Sequence, residues 1–230
     1  MVNLDDVQDS MAQLERAKAM GLRGAMITVY PPEERPYGDP VYEPFWAKAE
    51  ELRMPLSLHL GTERPMSTLL QPEGSPAAST FRVEWTERSL ARMLFAGVFE
   101  RCPELKVAVV EQELGWAAFF IDAMDRAYKH RVWPAGYHRY RGDALPSDFF
   151  RNNVFIAFQD DRLGIELRSH IGVDNIMWGN DYPHADGTFP HTREVLQGLF
   201  KDVPEAERAK IAGENAAGVY GIPIGAPARG

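Results

Sequence analysis

Along these 230 residues, short runs of consecutive apolar positions alternate with longer stretches in which apolar residues recur every third or fourth position. The first pattern reads as strands buried on both faces, the second as helices with one buried stripe. The chain opens on the helical pattern. Leu4, Val7, Met11 and Leu14 fall on one face, Asn3 is placed to cap the start with Asp6 in the first turn, and Gly21 supplies the stop. A strand over 24–29 follows, closed by Tyr30-Pro31-Pro32. Asp39-Pro40 then starts a second helix, whose stripe of Phe45, Trp46, Ala49 and Leu52 runs to Arg53.

In the strand at 56–60, Leu56, Leu58 and Leu60 share one face while Ser57 and His59 share the other. Further strands are predicted over 106–111, 154–158 and 175–181, and further helices over 83–101, 115–132 and 162–170. The helix over 115–132 carries Trp116, Phe119, Phe120, Met124 and Tyr128 as its apolar set. Three short helical segments near 191–201, 204–212 and 213–220 close the chain. Two stretches have no periodicity. Residues 61–80, rich in Pro, Ser, Gly and Thr, read as a lid over a site. Residues 133–148 form a basic, aromatic loop with Trp133, Tyr137, His138, Arg139, Tyr140 and Arg141, which either holds a substrate carboxylate or is a solvated surface.

Strand, loop and helix therefore repeat five times, which calls for a parallel sheet with right-handed crossovers, open or closed into a barrel. Periodicity does not choose between the two. In both, ligands bind at the carboxyl ends of the strands. His59, Glu111 and Asp181 each end a separate strand there. Imidazole and carboxylate are a ligand set for zinc or a similar divalent ion, and a carboxylate beside a metal-bound water can take its proton. His184, three residues past Asp181, either reaches the same pocket or caps the turn, while His130, His138, His170 and His191 are expected on the surface.

Composition narrows the setting. The length supports one core, read as a single domain over 1–222 with a flexible tail over 223–230. A formal net charge of -8 argues against a phosphate-backbone binder, so no nucleic-acid partner is expected. The single cysteine, Cys102, leaves no internal disulfide, and no apolar run is long enough to span a membrane. The chain is read as cytoplasmic, with a small molecule as its substrate.

Pro55-Leu56-Ser57-Leu58-His59-Leu60-Gly61, then residues 97–107 with Glu111 and Gly115-Trp116, then 177–184, and finally Asn215-Ala216-Ala217-Gly218-Val219-Tyr220-Gly221 resemble the amidohydrolase-related family of metal-dependent hydrolases and decarboxylases. The resemblance implies a TIM-barrel-like (β/α)8 fold, of which this chain would form a partial barrel of about five parallel strands with flanking helices. It implies that His59 and Asp181 bind a divalent metal, with Asp181 also the proton acceptor. Glu111 is read as catalytic beside them, and His184, Trp116 and Arg139 as substrate-binding. The family's first strand carries two metal ligands as His-x-His, a motif that occurs nowhere in these 230 residues. The expectation is accordingly a homo-oligomer or a missing N-terminal segment. Metal-dependent hydrolysis of a small carboxylate, lactone or amide is the leading reading; the alternatives are non-oxidative decarboxylation on the same site and a non-catalytic barrel remnant.

Overall fold

The structure, a computed structural model, describes residues 1–62, 80–130 and 138–224. Its centre is a five-stranded sheet of β1 (Ala25–Ile27), β2 (Leu56–His59), β3 (Val107–Val110), β4 (Val154–Phe158) and β5 (Ile176–Trp178). All neighbours are parallel, and their order in space is their order in the chain. A doubly wound sheet reverses its strand order at a switch point, whereas a barrel adds each strand beside the last. The sequential order resolves the choice left open by periodicity: the sheet is an arc of a TIM-type barrel.

The two faces of the arc have different partners. Leu56, Leu58, Val107, Val109, Val154, Ile156 and Phe158 point into the main core and pack against the helical layer. Ala108 and Met177 lie in a second apolar cluster with Val110, Phe155 and Ala157. Parallel register pairs Ser57 with Ala108 and His59 with Val110, which puts Ser57 and His59 on this second, inner face. The chain's own C-terminus covers part of it, through Ala216, Val219 and Tyr220.

The helical layer follows the apolar stripes with local departures. Helix α1 (Val7–Ala19) starts later than Leu4, and Asp6 rather than Asn3 caps it, accepting from the backbone N–H groups of Gln8 and Asp9. Residues 2–4 instead run beside β1, where the Val2 N–H donates to the Met26 carbonyl at 2.8 Å and Val2 and Leu4 are buried. Asp39 caps a short 3-10 turn (Pro40–Tyr42) that leads into α2 (Glu43–Glu51). The helix expected over 83–101 is two, α3 (Glu84–Phe95) and α4 (Val98–Arg101), broken at Gly97 with φ of 74°. That conformation favours glycine, and a Cβ there would lie 2.4 Å from the His138 ring.

Helix α5 (Gly115–His130) buries Phe120 and Met124 as expected, but leaves Phe119 exposed. Helix α6 (Pro146–Asn153) falls where no helix was expected. Its signals are a proline in the first turn and Asp148, whose carboxylate accepts the Leu145 N–H at 2.9 Å. The segment 162–170 divides into α7 (Arg162–Glu166) and α8 (Arg168–Ile171). After β5 come α9 (Thr192–Leu199), α10 (Glu205–Ala209), a π-helical turn (Lys210–Glu214) and α11 (Asn215–Tyr220). Most of the expected lid over 61–80 lies outside the described residues. Among the described residues, no helix is long and apolar enough to cross a membrane.

One side chain ties the last helix to the end of the arc. Asn215 Nδ2 donates to the carbonyls of Ile176 in β5 and Val173 before it, each at 2.8 Å. Removing a partner from part-buried acceptors costs more than an average hydrogen bond. Asn215→Ala is therefore expected to lower unfolding stability by about 2 kcal/mol, read as a lower urea midpoint at unchanged slope. Cys102 is 3% exposed and burial pushes its thiol up to about 11. It is expected to resist a disulfide-exchange reagent at pH 8 in the native chain and to react fully once the chain is unfolded.

Candidate metal centre

Three strands deliver the site. β2 ends in His59, β3 is followed at once by Glu111, and β5 is followed by Gly179-Asn180-Asp181. The chain turns sharply at two of these ends: Glu111 has φ of 62° and Asp181 φ of 55°, left-handed values that neither residue adopts without cost. Glu113 repeats the feature at 54°. Such strain persists only where the surroundings hold it. Around Asp181 they do so through a tight loop, in which the His184 N–H donates to the Asp181 carbonyl at 2.9 Å and the Thr188 N–H to the Asn180 carbonyl at 3.0 Å. Gly187 closes the loop, where a Cβ would stand 2.7 Å from the Asn180 carbonyl oxygen.

The side chains converge. Glu111 Oε1 is 3.3 Å from His59 Nε2 and 3.5 Å from His184 Nδ1, and His184 Nδ1 lies 3.0 Å from Asp181 Oδ1. Glu111 and Asp181 are mostly buried, with 17% and 14% of their side chains exposed, whereas His184 stands at the open mouth. His59 is oriented from behind. Its Nδ1 lies 2.7 Å from the Leu60 carbonyl, which only accepts, so Nδ1 carries the proton. The His59 carbonyl accepts from the Thr62 hydroxyl at 2.6 Å, and that oxygen in turn accepts the Val29 N–H at 2.9 Å, tying the ends of β1 and β2 together.

Burial raises the Glu111 carboxyl above the ordinary range, and the hydrogen bond to Asp181 raises it further; the His59 and His184 rings oppose the rise. Two carboxylates brought to one pocket repel each other, and a cation beside them relieves that repulsion. With Nδ1 protonated, a neutral His59 turns an Nε2 lone pair toward Glu111, a contact that also calls for a proton or a cation. Ligand atoms of Glu111, Asp181 and His184 all lie within 4.8 Å of one another. An ion bound at about 2.1 Å spaces neighbouring ligand atoms about 3.0–3.4 Å apart in octahedral or tetrahedral geometry. The His184 Nδ1 to Asp181 Oδ1 separation of 3.0 Å and the Glu111 Oε1 to His59 Nε2 separation of 3.3 Å are of that size, so the chemistry and spacing of these donors fit a divalent ion.

The other expected site residues divide. Trp116, half-buried in the first turn of α5, donates its indole N–H to the Glu113 carbonyl at 3.0 Å, so it stands at the same strand end. Arg139 does not. Its guanidinium lies over the Tyr128 ring, 5.0 Å from the centroid, near the far end of α5. At 1.5 Å per residue, Tyr128 is about 20 Å along that helix from Gly115. The described part of the basic loop packs against the wall of the fold. Tyr140 is buried with its hydroxyl donating to the Leu94 carbonyl, and His138 Nε2 lies 2.7 Å from Glu100. His138 is thus half-buried rather than on the surface; His130, His170 and His191 are exposed as expected. A cleft of about 660 Å³, lined by Arg23, Arg53, Lys106 and Tyr220, opens at the opposite end of the strands and holds none of the site residues. Sequence reasoning passed over Thr62 and Glu113, which have no periodic or motif signal and reach the mouth through turns.

The family model for amidohydrolases matches residues 1–222. The chain belongs to the amidohydrolase family. Among curated proteins, this amidohydrolase is 29% identical over 197 residues to a gamma-resorcylate decarboxylase of Rhodococcus jostii, covering 80% of this chain and 55% of that protein. The chain thus spans little more than half the length of that relative. Among solved structures it resembles the 5-carboxyvanillate decarboxylase of Sphingomonas paucimobilis, with a TM-score of 0.79 at 23% identity over 95% of this chain and 64% of the other. It also resembles a dihydroxybenzoic acid decarboxylase of Polaromonas with bound manganese and the inhibitor 2-nitroresorcinol, with a TM-score of 0.73 at 20% identity over 96% and 68%. At these identities the two structures establish the fold.

Glu100 offers a check on the structural role of the basic loop. Its carboxyl is held below the ordinary range, chiefly by the Arg141 N–H at 2.8 Å, with His138 adding to the effect. A depressed carboxyl contributes stability above its unfolded pKa and loses it as the pH falls through the lower, folded value. Glu100→Gln is expected to cost about 1 kcal/mol at pH 7 and progressively less below pH 4.5, the ordinary value from which the group is lowered. Chemical denaturation across that range measures it.

Proposed function

We propose that this amidohydrolase catalyses the non-oxidative decarboxylation of an aromatic acid, rather than the hydrolysis that its sequence suggests first. The observation that carries the reading is the convergence of Glu111 and Asp181 between two imidazoles at the mouth of the barrel, where burial and the neighbouring carboxyl raise Glu111 above the ordinary range. Hydrolysis needs a base there, whereas decarboxylation needs a group that keeps a proton at neutral pH and gives it to carbon. The decarboxylases among its relatives support the same choice.

His59 and Asp181 would hold a divalent ion with His184 at the open side, leaving Glu111 to keep a proton, and manganese in the Polaromonas structure is a guide to which ion. When bound, the ion would neutralise the negative charge of the substrate carboxylate and fix its orientation. The protein's own groups do the rest. Strained backbone at Glu111 and Asp181 aims both carboxyls inward, and His59 is fixed by Leu60 and Thr62. As the bond from the ring to the carboxylate breaks, its electron pair stays on the ring carbon. That carbon takes a proton from the Glu111 carboxyl, carbon dioxide leaves, and solvent restores the proton.

With manganese supplied, the chain is expected to release carbon dioxide from gamma-resorcylate or 5-carboxyvanillate. Glu111→Gln should lower that rate by about 100-fold or more, the usual cost of losing an acid–base group. Hydrolysis of a lactone or amide with no carbon dioxide release from either acid would reverse the order of the two enzyme readings. Absence of both activities in the metal-loaded chain would leave the remnant reading.

A further inference from the structure

The cleft at the lower end of the strands is not used by the chemistry above, and its charge runs against that of the chain. Lys18, Arg23, Arg53 and Lys106 all line its space of about 660 Å³, against the carboxylates of Glu50 and Glu104. The chain as a whole carries a formal net charge of -8. The cations arrive from separate places: Lys18 lies in the last turn of α1, Arg23 before β1, Arg53 after α2 and Lys106 before β3. Folding therefore collects like charges in one concavity, an arrangement that a bound anion compensates.

These cations are available to a ligand. Among the described residues, neither Lys18 nor Arg53 is engaged in a side-chain hydrogen bond or an ion pair. Arg23 donates from one guanidinium nitrogen to the Tyr220 and Gly221 carbonyls, which fixes it against the end of the last helix and leaves the rest of its fork open. Lys106 Nζ lies over the Phe155 ring, 5.4 Å from the centroid, a contact that keeps its positive charge. Of the carboxylates, Glu50 is turned to the Glu104 N–H at 2.7 Å. Arg53 has a φ of 48°, a left-handed value just past the end of α2 that glycine takes without strain. The side chain that bears this strain is a cation opening on the cleft. Apolar surface completes the lining, from the buried Met54 and Val219 and from Tyr220.

We propose that this cleft binds a small organic anion bearing more than one negative charge, with Arg53 and Lys18 as its main charged contacts, Arg23 and Lys106 at its sides and its apolar body against Tyr220. Phosphate and carboxylate groups both suit such a set, since lysine acts as a point charge and arginine as a two-pronged donor to either. The volume is in the range of small-molecule sites. Lying at the opposite end of the strands from Glu111 and Asp181, the site does not depend on which reaction is catalysed there.

The test is isothermal titration calorimetry of the metal-free chain with pyrophosphate, citrate and ADP, at physiological ionic strength, where scattered surface charge is screened. One saturable site is expected. Arg53→Gly and Lys18→Ala should each weaken it about 10-fold or more, as for loss of a charged hydrogen bond, while Glu104→Gln leaves it unchanged or tighter. Because glycine relieves the backbone strain, the urea midpoint of Arg53→Gly should not fall, which separates lost binding from lost structure. Preference for pyrophosphate and ADP over citrate assigns phosphate as the recognised group, and the reverse order assigns carboxylate. No saturable binding of any of the three overturns the inference. So does binding that is indifferent to both Arg53→Gly and Lys18→Ala, or weakened as much by Arg126→Gln, an exposed cation on α5, since net charge alone then accounts for it.

Discussion

Glu111 and Asp181 bring carboxylate oxygens within 4.8 Å of each other in a mostly buried pocket, and the repulsion between them calls for compensation. A cation beside the pair supplies it, and so does a proton on Glu111, whose carboxyl is raised by burial and by its neighbour. Much else at the mouth of the barrel serves that constraint. His59 and His184 flank the pair with imidazole nitrogens, and left-handed backbone at both strand ends points the carboxyls inward. A site that must compensate negative charge in a confined space is suited to bind a metal and to keep a proton that ordinary carboxylates have lost.

The fold makes this meeting possible through strand order. Because each strand lies beside the one before it, the carboxyl ends of β2, β3 and β5 open on one side of a single curved surface. Parallel register then decides which side chains share the inner face, setting Ser57 with Ala108 and His59 with Val110. The outer face packs against helices and supplies most of the core, so the inner face can carry polar groups at its upper end. At the lower end, Tyr220 comes within contact distance of Gly24 and approaches the Ser57 hydroxyl. Stability and chemistry thus occupy opposite faces and opposite ends of the same strands.

Much of this was legible in the sequence, for identifiable reasons. Strands buried on both faces are uninterrupted apolar runs, so all five stood out, and a polar residue ending such a run stands out in turn: His59, Glu111 and Asp181 were visible in this way. Other features leave no such trace. Strand order does not follow from periodicity, so arc and open sheet were indistinguishable. The breaks at Gly97 and Leu167 depend on local backbone turns that an apolar stripe does not register, and the start of α6 was masked by the charged and aromatic residues before it. Arg139 looked like an anion holder because it lies in a basic cluster, but that cluster packs beside α5 at the far end of the fold. Hydrolysis and decarboxylation draw on the same donors, so the pattern of residues did not separate them.

The central claim is that side chains from three strand ends form one metal centre. Titrating the metal-free chain with Mn²⁺, and following the free ion by its electron paramagnetic resonance signal, tests it most directly. The account predicts about one equivalent bound, with affinity falling about tenfold or more in Asp181→Ala and in His59→Ala alike, as for loss of a ligand or its support. Binding of less than about a tenth of an equivalent, or binding indifferent to both substitutions, would contradict it.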